Sequence, residues 1–339
     1  MRAVYPPGAR VLAVTGARGF VGREVIRRLL DDGRFFRILA LDVREPGLVH
    51  PKLRHVRVDL TLPGVDVALA ELLAKEGCDT LLHAAFLSSP SHDVAWAHEL
   101  EAIGTLHVLT AAGAARLRRV VMWSQTLVYG AAPHNPNFLT EEHPLRDSAR
   151  ASFLADKVEA ERQALRFCRE HPDTAVVILR TAPMLGPTIQ NYLTRLFSHA
   201  VCPRLLGFDP LVQLLHEQDA IDAFLLALCN EVRGTFNIVA EGVLPYSTVL
   251  ARMGRVPLPL PRMLAYPLVR TLWGTQLGPV PPELLDFLRY LCVADGTRAR
   301  QQLGFSPRFD ICSTIDDFVG LLPKETPSAS GGKVQEVRP

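Results

Sequence analysis

A glycine-rich turn near the start constrains this chain of 339 residues more than any other segment. Residues 10–14 (RVLAV) predict a buried strand, and residues 15–22 (TGARGFVG) lead from it directly into a helical pattern. Glycines in this place allow a tight turn, close approach of the backbone to a pyrophosphate, and close packing of the helix on the strand. The N-terminus of the helix offers unpaired N–H groups to the phosphates. The turn therefore predicts a dinucleotide site that includes Gly16, Arg18, Gly19, Phe20, Val21 and Gly22.

A carboxylate follows at the position where such a site needs one. Asp42 ends the second predicted strand, about 20 residues after Gly22. There it accepts hydrogen bonds from the 2′-hydroxyl of the adenosine ribose and repels a 2′-phosphate. NAD is therefore the expected cofactor, and NADP is the less favoured one. Arg18 and Arg44 are close enough in sequence to reach a 2′-phosphate, which weakens this preference.

Short apolar runs alternate with longer helical patterns through the first half of the chain. Strands are predicted at 10–14, 38–42, 55–58, 80–84, 120–123 and 175–179. Helices are predicted at 20–31, 65–75, 94–115 and 151–169. This alternation predicts an α/β fold, a Rossmann-type doubly wound parallel sheet with helices on both faces.

The pattern changes after Arg180. Proline becomes more frequent, and the predicted elements are one strand at 236–239, a loop-rich stretch at 256–282 and a helix at 283–293. We expect an NAD-binding domain over residues 1–180 and a smaller C-terminal substrate lobe over 181–323 that contributes part of the sheet. A flexible polar tail is expected over 324–339.

Composition excludes several classes of protein. A hydrophobic share of 48% against a charged share of 21% is typical of a soluble globular protein, and a formal net charge of +2 without a basic block argues against nucleic-acid binding. The six cysteines are far apart and lack the spacing of a zinc site, so no metal is expected. Because no signal-peptide pattern and no apolar run of membrane-spanning length is present, a cytoplasmic location is expected.

Further motifs resemble those of the extended short-chain dehydrogenase/reductase family, of the NAD-dependent epimerase/dehydratase type. Residues 15–22 match its TGxxGxxG form. Its later motifs are matched by residues 128–130, 140–144, 179–187, 213–219 and 234–238. The resemblance implies a homodimer formed through two helices and a small-molecule substrate. It also implies cofactor contacts from Asp59, Leu60, His83, Ala84, Ala85, Ser124, Lys157, Ala182 and Pro183.

The residues expected to do the chemistry depart from the pattern of this family. The family pairs a tyrosine with a lysine four residues later, and the lysine lowers the pKa of the phenol that moves the proton. Here the helix carries Phe153 and Lys157, so the lysine is retained and the phenol is lost. Gln125 stands where the family has a Ser or Thr, and Glu101 replaces an asparagine on the preceding helix. We hypothesise that Glu101 and Lys157 form an ion pair, with charged groups within about 6 Å of each other.

Three interpretations follow from these departures. The favoured one is an NAD(H)-binding protein with a degenerate active site, a pseudoenzyme that acts as a binding or regulatory protein. The second is an NAD-dependent epimerase/dehydratase or oxidoreductase that uses a rerouted proton path on a nucleotide sugar or another, apolar hydroxyl or keto compound. The third is a structural subunit that stabilises an active relative.

Other polar residues near the motifs are candidates for a replacement base. The candidates are Tyr129, His83, His134 and His143. Packing roles are favoured for the first two and solvated loop positions for the histidines at 134 and 143. Asp156 is interpreted as a surface charge.

An apolar stretch at residues 256–280 has Arg255, Arg262 and Arg270 at or near it. It is interpreted either as a membrane contact or substrate lid, or as core packing of the small lobe, which is favoured. Its prolines argue against one long amphipathic helix.

Overall fold

A mostly parallel set of strands organises the chain, and the computed structural model describes residues 10–146 and 152–320. The strands are β1 (Arg10–Thr15), β2 (Phe35–Asp42), β3 (Leu53–Arg57), β4 (Thr80–His83), β5 (Arg119–Gln125), β6 (Ala175–Thr181), β7 (Met184–Leu185), β8 (Val201–Leu205), β9 (Leu211–Val212), β10 (Leu215–His216), β11 (Gly234–Ile238), β12 (Leu244–Pro245) and β13 (Val256–Leu260).

Seven of these strands form one parallel sheet in the order β11-β6-β5-β4-β1-β2-β3. All residues of β4 and β6 are buried, as expected for a parallel sheet covered on both faces. Because β1 pairs with β2 on one side and with β4 on the other, the chain changes the direction in which it builds the sheet at β1. Such a change opens a crevice at the carboxyl ends of the neighbouring strands.

Helices cover both faces of this sheet. They are α1 (Phe20–Leu29), α2 (Val65–Lys75), α3 (Val94–His98), α4 (Gly104–Ala114), α5 (Ser152–Glu170), α6 (Tyr192–Ser198), α7 (Glu217–Cys229), α8 (Tyr246–Arg252), α9 (Arg262–Gly274) and α10 (Ile311–Gly320). Alternate residues of β1 point to opposite cores, so that Leu12 packs in the core of α1 and α7, and Val11 in the core of α2, α4 and α5.

The predicted Rossmann-type α/β fold is confirmed. Each strand predicted in the first half is present with ends within a few residues of the prediction, and α2 begins and ends where expected. The helix predicted at 94–115 is divided into α3, a π-helical turn at Glu99–Ile103, and α4. The later predicted strand is β11, which pairs with β6 and brings the second half of the chain into the sheet. The tail predicted at 324–339 lies outside the described residues.

Two predictions in the C-terminal half are wrong. Instead of a helix at 283–293, the chain has a 3-10 turn at Pro282–Leu288, after which Val293 pairs with the backbone of Leu139. Instead of loops at 256–282, it has β13 and α9. Six of the seven prolines of this stretch lie outside α9, three before it and three after it. Pro261 is at the N-cap of α9, where a missing N–H group costs no helical hydrogen bond, and Pro267 lies inside the helix.

The favoured packing interpretation of residues 256–280 is correct for one face only. Ala265 is buried and packs with Leu205 and Leu285. The opposite face carries Met263 and Leu264, whose exposed fractions are 87% and 64%. In the part of the chain that the structure describes, no helix is both long enough and apolar enough to cross a bilayer.

Candidate functional site

The glycine turn joins β1 to α1 with very little space around it. Gly16 has a φ of +69°, and a Cβ there would lie 2.6 Å from the carbonyl carbon of Ala84. A Cβ on Gly22 would lie 2.3 Å from the carbonyl oxygen of Gly16. Gly19 caps α1, whose first turn carries no acidic side chain. The first N–H groups of α1 are therefore available for an anion such as a pyrophosphate.

A cleft of about 630 Å³ lies beside this turn, at the carboxyl ends of β1, β2, β3 and β4. The structure brings several predicted cofactor residues together along its wall, namely Gly16, Gly19, Asp42, Asp59, Leu60, Ala84 and Ala85. Phe86, Trp96 and Leu100 also line it and are absent from the prediction. Asp42 is held in position because its Oδ2 accepts a hydrogen bond from the backbone N–H of Arg18 (3.0 Å) and its Oδ1 one from that of Arg44 (3.3 Å).

Other residues of the predicted set lie away from this cleft. Val21 and Gly22 are buried in α1, and the Arg18 guanidinium donates to the carbonyl oxygen of Glu45 (3.0 Å). Phe20 packs partly buried against the core of α1 and α7. Gly22 and Val21 therefore support the turn by packing.

His83 is completely buried at the end of β4. Its Nδ1 lies 2.7 Å from the hydroxyl of Thr15, and its Nε2 lies 2.9 Å from the hydroxyl of Thr105. Burial lowers the pKa of His83 to about 3, so that the ring is neutral at physiological pH. The imidazole connects β1, β4 and α4, and neither ring nitrogen is left for a substrate.

Glu101 and Lys157 form the ion pair that the sequence suggested. Lys157 Nζ donates to Glu101 Oε1 (2.6 Å) and to the carbonyl oxygen of Leu87 (3.0 Å), and Glu101 Oε1 also accepts from the backbone N–H of Leu87 (2.6 Å). Burial raises the pKa of Glu101, and Lys157 and the Leu87 amide offset part of this rise. Glu101 Oε2 is buried with no hydrogen-bond partner among the described residues.

Phe153 stands one helical turn before Lys157 on α5. The centroid of its ring lies 4.5 Å from Lys157 Nζ, and the ring packs with Leu127 and Leu154. The ammonium group therefore lies between a carboxylate and an aromatic face. No phenol hydroxyl is present at position 153 to share its proton.

Gln125, at the end of β5, faces two narrow clefts. One is lined by Phe86, Trp123, Ser124, Gln125 and Lys157. The adjoining one is lined by Gln125 together with Ala182, Pro183 and Tyr192. Gln125 and Lys157 thus line the same cleft. The family resemblance implies this proximity for the residues at positions 125 and 157. An amide at 125 can donate a hydrogen bond to a carbonyl oxygen but does not titrate near neutral pH.

The Ser124 hydroxyl is engaged elsewhere. It donates to Glu161 Oε2 (2.5 Å), and Glu161 also forms a buried ion pair with Arg180. Arg180 Nη1 donates to the hydroxyl oxygen of Tyr129 (2.6 Å), and Tyr129 donates to Asn237 Oδ1 (2.7 Å). Burial raises the pKa of Tyr129 to about 12. Both hydroxyls therefore belong to a buried network that joins β5, α5, β6 and β11.

The interpretation of Asp156 as a surface charge is wrong. Its side chain is buried because α3 packs against this face of α5, and its Oδ1 accepts a hydrogen bond from His98 Nδ1 (2.7 Å). His134 is exposed, and burial together with Arg146 and Arg180 lowers the pKa of His143. Among residues 10–146 and 152–320, no group of three or more His, Cys, Asp or Glu side chains is arranged to hold a metal ion.

Tyr192 is a further residue of this site that the sequence analysis did not select. It begins α6, lines the second narrow cleft with Gln125, and forms no hydrogen bond through its hydroxyl with a described residue. Burial raises the pKa of this phenol. The usable signal was its position a few residues after the Gly186-Pro187 turn, which follows the carboxyl end of β6.

Comparison with known proteins places these features in a family. Over 331 residues, the chain is 34% identical to the uncharacterized protein Rv0501 of Mycobacterium tuberculosis, covering 94% of this chain and 86% of that protein. It is 26% identical over 314 residues to a 4-hydroxy-2-methyl-3-oxo-4-farnesyl-3,4-dihydroquinoline-1-oxide ketoreductase of Stigmatella aurantiaca, covering 87% and 91% of the two chains.

Among solved structures, the fold is similar to that of the UDP-glucose 4-epimerase of Thermus thermophilus in complex with NAD, with a TM-score of 0.70 and 18% identity over 93% of this chain and 100% of the other. The sequence profile of the NAD dependent epimerase/dehydratase family matches residues 12–239. The chain belongs to the NAD dependent epimerase/dehydratase family.

Proposed function

We propose that this protein binds NAD(H) in a site that lacks the proton-transferring phenol of its family and acts as a cofactor-bound binding or regulatory protein. The observation that carries the proposal is the ion pair of Lys157 with Glu101 beside the ring of Phe153. The lysine that elsewhere in the family activates a phenol is here compensated by a carboxylate and faces a hydrocarbon ring.

The described residues fit a dinucleotide. The turn at Gly16 and Gly19 is suited to the pyrophosphate, since its glycines leave room for a close approach and it leads to the first N–H groups of α1, and Asp42 is suited to the adenosine ribose. Lys157 uses two of its three N–H groups on Glu101 and Leu87, so that one remains for the hydroxyls of the nicotinamide ribose. When bound, NAD(H) would supply a hydride acceptor or donor. The Thermus epimerase, which has the same fold, is crystallised with NAD.

Proton transfer is the step for which this chain lacks the usual groups. A positioned general acid or base contributes about 10²–10⁴-fold to a rate. Phe153 has no exchangeable proton, the amide of Gln125 does not transfer one near neutral pH, and the neighbouring Ser124 hydroxyl is bonded to Glu161. The Glu101 carboxylate also offsets the positive charge that would lower the pKa of a phenol restored at position 153. All three departures therefore act in the same direction.

A second candidate function is supported by Tyr192. Its free phenol lies in the cleft that also contains Gln125, where it is available to a hydroxyl or keto group held by the amide. The protein would then be an NAD-dependent oxidoreductase or epimerase with a rerouted proton path. The ketoreductase of Stigmatella is a relative that acts on a keto compound, as its name states.

Binding and turnover of the purified full-length protein distinguish the two candidates. NADH binding is measured by energy transfer from tryptophan, since Trp96 and Trp123 line the cofactor clefts. Hydride transfer is then followed by the absorbance of NADH. Its loss is measured with NADH and keto compounds, and its gain with NAD and nucleotide sugars, whose hydroxyl-bearing carbons donate the hydride. Binding without turnover supports the first function. Turnover that Tyr192→Phe abolishes, with NADH binding unchanged, supports the second and contradicts the first.

Assembly, domain division and location are further parts of the proposal. We propose a homodimer, as the family resemblance implies, with an NAD-binding domain at 1–180, a substrate lobe at 181–323, and a cytoplasmic location. Sedimentation equilibrium tests the homodimer. A mass close to 75 kDa, about twice the chain mass of 37.4 kDa, is expected, and the mass of a monomer would contradict the dimer.

A further inference from the structure

A cavity of about 480 Å³ lies in the C-terminal half of the chain, and none of its described lining residues also lines the nucleotide cleft. This volume is within the range of small-molecule sites. Its interior is built from aliphatic and aromatic side chains of α6, the segment before β10 and the 3-10 turn Pro282–Leu288. Among them are Leu196, Phe197, Leu214, Leu284, Leu285 and Leu288.

Most of the polar side chains that line this cavity are either engaged already or exposed to solvent. Gln213 exchanges two hydrogen bonds with the backbone of Ala294, and the Tyr246 hydroxyl donates to the carbonyl oxygen of Pro203 (3.1 Å). Arg195 and His199 are exposed to solvent. Among the described lining residues, Arg195 is the one Lys or Arg. A diphosphate or an unprotected sugar placed inside would lose its water and gain too few partners to replace it, which is costly.

One end of the cavity reaches the candidate active site. Leu127, Pro183, Tyr192 and Leu193 line both the cavity and the narrow cleft that contains Gln125. Phe153 packs against Leu127 and Tyr192, so the ring at the lost phenol position continues the apolar wall. At this end, the free hydroxyl of Tyr192 and the amide of Gln125 are the groups available to an oxygen atom of a ligand.

We infer that the cavity binds an apolar small molecule, with an alkyl, prenyl or ring body, that carries one hydroxyl or keto group at the end near Tyr192 and Gln125. Nucleotide sugars are the wrong ligand class for it. One part of this inference rests on the proposed function, namely that the oxygen of the ligand faces the nicotinamide. Binding of the apolar body depends on the cavity alone.

Calorimetric titration with farnesol, 1-dodecanol and UDP-glucose tests this inference. We expect saturable binding of at least one of the two alcohols and none of UDP-glucose. Leu193→Trp, which places a large ring at the junction of cavity and cleft, should weaken alcohol binding by at least about tenfold. Leu206→Trp is the matched control, because Leu206 is exposed in the same half of the chain and lies outside the cavity lining, and it should bind like the wild type.

Tyr192→Phe tests the oxygen-binding end. Because one hydrogen bond is lost, the affinity for 1-dodecanol should fall about fivefold, and the affinity for its hydrocarbon analogue dodecane should not change. Saturable UDP-glucose binding, or alcohol binding that Leu193→Trp does not change, overturns the inference. NADH binding is measured on the same samples: its absence contradicts the proposed function and leaves the cavity result intact.

A second inference comes from the exposed side of α9 and β13. We call this surface the α9 face and define it by Val256, Leu258, Met263, Leu264, Leu268 and Leu277, whose exposed fractions range from 48% to 87%. Residues 255–280 contain no Asp or Glu, and they include Arg255, Arg262 and Arg270. Exposed apolar side chains beside cations, without an acidic residue in the segment, are complementary to an anionic lipid surface.

We propose that the α9 face contacts the surface of anionic membranes. Co-sedimentation with phosphatidylcholine vesicles, with and without phosphatidylglycerol, tests this. Binding is expected to require the anionic lipid and to weaken with salt. Met263→Glu/Leu264→Glu should abolish it, and Val67→Glu, an exposed change on α2, should not. Recovery of the wild type in the supernatant at low salt overturns the proposal. So does a change of oligomeric mass in the double variant, since the face would then be a subunit contact.

Discussion

The carboxylate of Glu101 and the ammonium group of Lys157 are 2.6 Å apart, and both side chains are almost completely buried. Removal of one partner leaves a buried charge without compensation, which costs about 3–5 kcal/mol. Lys157→Met should therefore lower the free energy of unfolding by this amount in urea denaturation. Arg27→Met, which breaks the exposed pair with Glu24, should have little effect. Equal stability of the two variants would show that the buried pair contributes no more to the free energy of unfolding than the exposed one.

The pair should also show strong coupling. Glu101→Gln/Lys157→Met removes both charges and should be more stable than Lys157→Met alone, because no charge then remains uncompensated. A double-mutant cycle in urea measures this difference. Additive effects of the two changes would indicate that the side chains act independently.

The buried imidazole of His83 makes stability depend on pH. The pKa of His83 is about 3 in the folded chain, against 6.5 for an unperturbed histidine. Between these values the unfolded state binds more protons, so that stability is complete above pH 6.5 and falls as the pH is lowered, by roughly 2 kcal/mol at about pH 5. Denaturation curves at a series of pH values measure the slope, which His83→Gln should reduce. His134→Gln, at an exposed position, should leave the slope unchanged.

The glycine turn should be intolerant of a methyl group. Because a Cβ on Gly22 would lie 2.3 Å from the carbonyl oxygen of Gly16, Gly22→Ala must displace the turn and should weaken NADH binding by at least about tenfold. Gly33→Ala is the control, since no atom of a residue that the structure describes lies within 4 Å of a Cβ at that position. Equal NADH affinity in the two variants, measured by energy transfer from tryptophan, would place the cofactor elsewhere.

Cofactor preference should depend on Asp42. Its carboxylate lies at the edge of the nucleotide cleft, which Arg44 and Arg57 also line. Asp42→Ala removes the negative charge that repels a 2′-phosphate and should raise the affinity ratio of NADPH to NADH by at least about tenfold. Glu45→Gln, a change at an exposed neighbouring carboxylate, should leave the ratio as in the wild type. An unchanged ratio in Asp42→Ala would remove the basis for the NAD preference.

The sequence predicted features that depend on local pattern or on a known motif. The limits of α2 follow from apolar spacing, and the Glu101–Lys157 pair follows from two coincident departures at positions that the family brings together. The burial of Asp156 was missed because it depends on how α3 packs on α5, and helical periodicity does not report that contact. Tyr192 and the apolar cavity were missed for a similar reason, since their walls come from segments far apart in the chain.

The central claim is that Phe153, Gln125 and Glu101 together prevent proton-coupled hydride transfer, although the nucleotide cleft can still bind the cofactor. The most direct test compares hydride transfer from NADH to farnesal and to UDP-4-keto sugars by the wild type and by Phe153→Tyr/Gln125→Ser/Glu101→Asn. The account predicts that both proteins bind NADH and that the triple variant is faster by at least about 10²-fold. Wild-type turnover equal to that of the triple variant would contradict it.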